Sequence, residues 1–275
     1  MQLFIVRHAQ IAYLDAAGQP LDAVEANPSL TALGRRQAEA LADRLGRVGL
    51  SALYCAPALR CVETAQAICA AAGVTGAIVP WLGEIGRFWE DWRRRPVGGA
   101  AALRCDPDPV ATDWPEVADE SGDLPAGRLG AARARCRRAL DLLLRAHRRE
   151  ADDRVCLCTH SQLAIFGLAP VLAGTPPAEN HRFLLDHAAL THVQCDGRGN
   201  LFRRVNCSRH LADLTAAICS NPACAATARH PEERACRACG APLLRECPTC
   251  RTSIPAPAPA DCPHCGNPYR PAATG

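Results

Sequence analysis

Apolar positions in this chain come in two textures: short unbroken runs, and stripes that recur every three or four residues. Leu3, Phe4, Ile5 and Val6 form a run without alternation, which predicts a strand buried on both faces and ending at Arg7-His8-Ala9-Gln10. A loop over residues 11–27 follows, holding Gly18, Pro20 and Asn27. Behind Thr31, a good N-cap, the positions Leu33, Gln37, Ala38, Leu41 and Leu45 recur at helical spacing. That helix should stop within residues 46–49. Residues 51–55 read as a second buried strand running into Ala56-Pro57-Ala58-Leu59-Arg60, with Pro57 suited to a helix's first turn. Cys61, Thr64, Ala65 and Ile68 form the stripe of that helix, and residues 78–80 a short third strand.

Residues 93–125 are rich in Pro, Gly and charge and show no period, the mark of a long loop that is either functional or disordered. Leu129, Ala132, Cys136, Leu140 and Leu143 then predict a helix reaching about residue 149. Arg-Val-Cys-Leu-Cys-Thr at 154–159 is another core strand, and it too ends at a histidine, His160. A helix to Ala173 and a hairpin, 188–195 with 201–206 around Asp196-Gly197-Arg198-Gly199, complete the pattern. Strands alternating with helices predict an α/β protein, a three-layer α/β/α sandwich with a mostly parallel central sheet. Such sheets place ligands at the carboxyl ends of their strands, where both histidines fall. Arg60, in the first turns of a helix after a strand, stands where helix amides favour an anion and a guanidinium grips two oxygens.

Composition narrows the picture. Of 275 residues 48% are hydrophobic and 21% charged, so a folded core is expected. All 31 basic residues are arginine, which makes a run such as Arg93 to Arg95 a compositional habit with a solvated surface as its default. The net charge of +3 argues against a protein built chiefly to hold nucleic acid. The apolar start is too short for a signal peptide, and the stretch 163–173 too short for a membrane span. A cytoplasmic protein with no membrane association is expected.

The ordered set Arg7-His8-Ala9, Leu30-Thr31-x-x-Gly34-x-x-Gln37-Ala38, Cys55-Ala56-Pro57-x-x-Arg60-x-x-x-Thr64-Ala65, Glu84, Glu120-Ser121 and Thr159-His160 resembles the histidine phosphatase superfamily, in its phosphoglycerate-mutase-like branch, over residues 1–211. The resemblance implies a phosphomonoester hydrolase acting on a small phosphorylated metabolite. His8 would attack phosphorus and carry it as phosphohistidine, with Arg7, Arg60 and His160 around the phosphoryl oxygens. Glu84 would be the proton donor, partly buried among Trp81, Ile85 and Phe88, with Glu90 and Glu120 the other carboxylates of that stretch. No metal enters this chemistry. Leu14 stands where family members often carry a phosphate-touching asparagine, so that contact is lost or comes from Gln10. A mutase would need a longer enclosing insertion than residues 93–125 offer, so phosphatase is preferred to mutase. A degenerate domain that acts only as a scaffold is the reading from another class.

Beyond residue 211 the texture changes. Nine cysteines are scattered over the first 207 residues, whereas eight crowd between Cys219 and Cys265. Cys219-x4-Cys224-x11-Cys236-x2-Cys239-Gly240 is echoed by Cys247-x2-Cys250-x11-Cys262-x2-Cys265-Gly266, an internal repeat. Paired cysteines two residues apart bring thiolates to one tetrahedral ion, and two pairs close a site. This resembles a double zinc ribbon over residues 212–275, with two structural Zn2+ ions. A crossed arrangement, in which Cys236, Cys239, Cys247 and Cys250 share an ion, is the alternative to two sequential sites. A protein partner or self-association is the expected use of this tail; a nucleic-acid partner is not, since a dense basic and aromatic surface is lacking.

Overall fold

The computed structural model describes residues 1–14, 19, 21, 27–85, 103–104, 125–147, 153–174, 185–196, 198–224, 226–228 and 233–270. The opening apolar run forms β1 (Gln2–Arg7), buried from Leu3 to Val6. It lies beside β5 (Arg154–Thr159) in parallel, with Arg7 opposite Thr159, and beside β6 (Leu190–Asp196) in antiparallel. The remaining strands are β2 (Ala52–Cys55), β3 (Gly76–Ile78), β4 (Leu103–Arg104) and β7 (Gly199–Cys207). The sheet order is β4-β3-β2-β5-β1-β6-β7, with only β6 and β7 running antiparallel to their neighbours. This is the mostly parallel α/β sandwich that the pattern predicts.

Helix α1 (Ala32–Gly46) starts at Thr31, whose Oγ1 accepts from the amide of Gly34 at 2.9 Å. It packs on α2 (Leu59–Ala72), and α3 (Pro125–Ala146) packs on the segment after β5. That segment is a π-helical turn, Leu163–Leu168, followed by the short α4 (Ala169–Ala173). Pro170 has no amide hydrogen for the carbonyl of Phe166 four residues earlier. Arg133 Nε donates to that carbonyl instead, at 3.0 Å. Among the described residues no helix is long and apolar enough to cross a membrane.

Local boundaries differ from expectation in three places. Helix α2 begins at Leu59 rather than at Pro57, and Asn27 Oδ1 accepts from the amide of Leu59 at 2.9 Å, a cap supplied from outside the helix. The third strand is Gly76–Ile78, and Pro80 opens a 3-10 turn, Pro80–Leu82, instead of ending the strand. Within the predicted 93–125 loop, Leu103–Arg104 pairs with β3 as an edge strand; the rest of that loop, with Glu90, Phe88 and Glu120-Ser121, lies outside the described residues.

One buried apolar cluster runs from Met1 to Leu211. A second is small: Ile218, Cys247, Cys250, Ile254, Cys262 and Tyr269, with Leu14 of the first part packed against it. Around it the chain makes β8 (Ile218–Cys219) against β9 (Leu243–Leu244) and four cysteine-bearing turns. The turns are flanked by the bridged pairs Ile218 with Thr227, Ala235 with Pro242, Glu246 with Ser253, and Asp261 with Pro268.

Candidate active site

The parallel register of β1 and β5 carries their carboxyl ends to one place, and the amide of His8 donates to the carbonyl of Thr159 at 2.9 Å. The rings of His8 and His160 stand 5.4 Å apart, centroid to centroid, at 66°. Both are buried. His8 Nδ1 lies 2.8 Å from the carbonyl oxygen of Ala9, which only accepts, so the ring proton is on Nδ1 and the lone pair on Nε2. The loop after β1 is tied to α2, because the amide of Ala9 donates to Thr64 Oγ1 at 3.0 Å and Thr64 Oγ1 donates to the carbonyl of Arg60 at 2.7 Å. Arg60 Nη2 in turn reaches His160 Nδ1 at 3.4 Å. Burial, then the charges of Arg60 and Arg7, hold His8 well below the usual histidine range; burial and Arg60 do the same to His160. Both rings are therefore neutral near pH 7, as a nitrogen nucleophile must be.

Arg7 is held from four directions. Its Nη1 donates to the carbonyl of Leu185 at 2.8 Å and to Glu246 Oε1 at 3.3 Å, while Nη2 donates to Tyr13 Oη at 3.0 Å and to His187 Nε2 at 2.9 Å. Those acceptors use all four terminal hydrogens of the guanidinium. The fifth, on Nε, is buried and without an acceptor among the described residues. An orphaned charged donor in this position calls for an anion.

Glu84 sits at the end of the 3-10 turn. Thr159 Oγ1 donates to the carbonyl of Leu82 at 2.6 Å, and Arg135 Nη1 to those of Trp81 and Gly83 at 3.0 and 3.1 Å. The carboxylate accepts three backbone amides: Ile85 and Leu163 on Oε1 at 3.1 and 2.8 Å, and Gln162 on Oε2 at 3.3 Å. Gln162 and Leu163 follow His160 directly, so Glu84 borders the same end of β5. Burial raises its pKa, and the three amides and Arg60 only partly oppose this. Trp81 and Ile85 are buried beside it as expected.

Residues 3–208 match the family model for the histidine phosphatase superfamily, branch 1. The chain belongs to the histidine phosphatase superfamily. A curated relative from Yersinia enterocolitica, described as a probable phosphoglycerate mutase, is 26% identical over 207 residues, covering 70% of this chain and 84% of its own. Among solved structures, an alpha-ribazole phosphatase from Shigella flexneri superposes with a TM-score of 0.53 at 20% identity, over 76% of this chain and 97% of its own. A phosphoserine phosphatase from Entamoeba histolytica, in complex with 3-phosphoglyceric acid, gives a TM-score of 0.51 at 17% identity, over 76% and 98%.

The family match stops at residue 208, yet the contacts around Arg7 do not. Gln10 extends away from β1 with Oε1 on the hydroxyl of Thr31 at 2.8 Å and Nε2 on the carbonyl of Ser253 at 3.4 Å. Gln37 Nε2 donates to Ser253 Oγ at 3.3 Å, and His187 Nδ1 lies 3.3 Å from both Ser253 Oγ and Glu246 Oε1. Thus the expected residues His8, His160, Arg7 and Arg60 come together, and Glu84 adjoins them. Gln10 points its amide at α1 and the tail. Sequence reading missed Arg135, His187, Glu246 and Ser253. Arg135 had a signal, standing three residues after Ala132 and four before Ala139 on the buried stripe of α3. The other three had none, because only the folded chain brings them near Arg7.

The eight tail cysteines form two groups, Cys219, Cys224, Cys236 and Cys239, then Cys247, Cys250, Cys262 and Cys265, with the sulfurs of each group all within 4.8 Å of one another. The crossed arrangement is thereby set aside. Neighbouring sulfurs lie at 3.4 and 3.7 Å in the first group and 3.5 and 3.7 Å in the second. Four thiolates at about 2.3 Å from one tetrahedral Zn2+ stand about 3.8 Å apart, so the donor set and its spacing fit that ion.

Proposed function

We propose that this chain is a phosphomonoester hydrolase that works through a phosphohistidine on a small phosphorylated metabolite. The observation that carries this is the convergence of His8 and His160, 5.4 Å apart, with the guanidinium groups of Arg7 and Arg60. His8 Nε2 attacks phosphorus as the bond from phosphorus to the leaving oxygen breaks, and Glu84 gives its proton to that oxygen. Arg7 through Nε and Arg60 neutralise charge on the phosphoryl oxygens, where it concentrates in the transition state, and the neutral His160 adds a hydrogen bond to them. Water then attacks phosphorus, Glu84 recovers a proton from it, the bond to Nε2 breaks, and inorganic phosphate leaves with His8 restored.

The tail, residues 212–275, is read as a module beside the phosphatase domain of residues 1–211, with one structural Zn2+ in each cysteine group. A shell of four thiolates leaves no open position, so the ion's contribution is folding free energy for a segment too small to fold on its core alone. A cysteine-rich chain of this kind suits the reducing cytoplasm.

The test is to incubate the protein with a phosphate-labelled ester, quench, and look for acid-labile label on His8. His8→Ala should abolish the label and lower turnover at least about a thousandfold, with the fold intact. Undiminished turnover in His8→Ala overturns the mechanism. Isomerisation of phosphoglycerate outrunning phosphate release would make the enzyme a mutase.

A further inference from the structure

Four cysteine turns in the tail repeat one design: a residue just before the first cysteine bridges across the turn to a residue beyond it. At three turns that leading residue is Ile218, Ala235 or Asp261, the first buried in the tail and the other two exposed. At the third turn in chain order it is Glu246, and its cross-strand partner is Ser253, which is buried. This turn is closed by the amide of Cys247 on the carbonyl of Thr252 at 2.8 Å and by that of Ile254 on the carbonyl of Arg245 at 2.8 Å. Glu246 and Ser253 thus emerge side by side from a rigid hairpin, and both enter the phosphate site.

Their contacts there form a chain of hydrogen bonds. Arg7 only donates, so His187 Nε2 accepts from it and the proton of the neutral His187 ring is on Nδ1, facing Glu246 Oε1 and Ser253 Oγ. Glu246 Oε1 therefore grips Arg7 twice, directly through Nη1 and indirectly through His187. The side chains of Arg7 and Glu246 are only 11% and 21% exposed, so the pair is not an ordinary surface contact. What the grip leaves over is the single hydrogen on Nε.

We propose that Glu246 is a positioning residue for Arg7, acting with His187 so that the cysteine-rich module completes the phosphate site and turns the Nε hydrogen of Arg7 toward the phosphoryl group. This rests on the phosphatase reading above. Glu246 costs something as well, since its negative charge stands beside the guanidinium that must hold an anion. Orientation and charge therefore separate under substitution. Glu246→Gln keeps an acceptor oxygen and removes the charge, whereas Glu246→Ala removes both.

The experiment uses the full chain, with metal content and thermal unfolding checked for each variant. Steady-state hydrolysis of p-nitrophenyl phosphate gives kcat and KM, and calorimetric titration with inorganic phosphate gives its affinity. Glu246→Ala should lower kcat at least about tenfold. Glu246→Gln should keep kcat within about threefold of the parent and bind phosphate at least about threefold tighter. If Glu246→Ala does not fold, Glu246→Asp, which keeps the charge and withdraws the oxygen, should show the same loss of kcat. The proposal is overturned if Glu246→Ala turns over like the parent, if Gln is as damaging as Ala, or if Glu246→Gln binds phosphate as the parent does. A parent that neither hydrolyses the ester nor labels His8 defeats the phosphatase reading instead, and the phosphate titration still decides whether Glu246 acts on Arg7.

Discussion

The two parts of this molecule are held together by different physics. The sheet and its helices bury a continuous apolar cluster from Met1 to Leu211, whereas the apolar cluster of the tail has six buried residues, of which three are cysteines. The first part keeps its shape because side chains are removed from water. The second has little to remove, and its eight cysteines are gathered instead into two clusters that could each hold an ion. The less self-sufficient part nevertheless supplies Glu246 and Ser253 to the more robust one. Stability and site geometry in this protein are therefore not set in the same place.

The largest way to test that contrast is metal removal. A strong chelator under reducing conditions should unfold the tail and make its eight cysteines reactive to a thiol reagent, while the eight described cysteines of the first part, all buried, stay protected. Unchanged thiol reactivity would show that the clusters need no ion. The converse perturbation is Leu157→Ala in β5, at a fully buried position. It should cost about 2–5 kcal/mol in denaturant unfolding of the sheet, with the metal content of the tail unaltered. A cost below about 1 kcal/mol would contradict the packing described.

Gly34→Ala probes the seam between α1 and the loop after β1, because an added Cβ would lie 2.1 Å from the carbonyl oxygen of Gln10. Backbone on both sides must move, so about 1–3 kcal/mol of stability should be lost together with much of the turnover. An active, fully stable variant would mean that the seam opens freely.

The mildest perturbation is pH. His8, His160 and His187 are all held well below 6.5, by burial first and neighbouring arginines next, and burial takes His210 down to about 4. Below 6.5 the unfolded chain binds protons that the folded one refuses, so stability falls as pH drops toward the folded values and is unaffected by these groups well above 6.5. Glu84 has the opposite sign: its raised folded pKa gives stability that is full below 4.5 and lost as pH rises through the folded value. The imidazoles outnumber it. Denaturant midpoints between pH 7.5 and 5.5, taken at constant metal content, should decline by up to about 1.4 kcal/mol per unit and per group. A midpoint that rises toward pH 5.5 would mean that the imidazoles are not the buried neutral groups seen here.

What the sequence disclosed was whatever is encoded locally. The unbroken apolar runs of β1 and β5 placed His8 and His160 at matching strand ends, the stripe behind Thr31 marked α1, and the spacing of the cysteines foretold both clusters. Boundaries set by long-range contacts were hidden: Asn27 starts α2 two residues past Pro57, and Pro80 opens a turn that Arg135 and Thr159 fasten. The default of a solvated arginine failed at Arg135, which is 1% exposed, because burial there is repaid by two carbonyls rather than by any partner visible along the chain. His187 and Glu246 were illegible for the same reason, since their partner Arg7 lies 180 and 239 residues away.

That last separation bears on how the protein is made. A ribosome delivers Glu246 239 residues after Arg7. Until the hairpin that carries Glu246 arrives, the nascent chain holds the Arg7 guanidinium without that brace. The ion pair between Arg7 and Glu246 therefore forms late, after every strand of the seven-stranded sheet has been made.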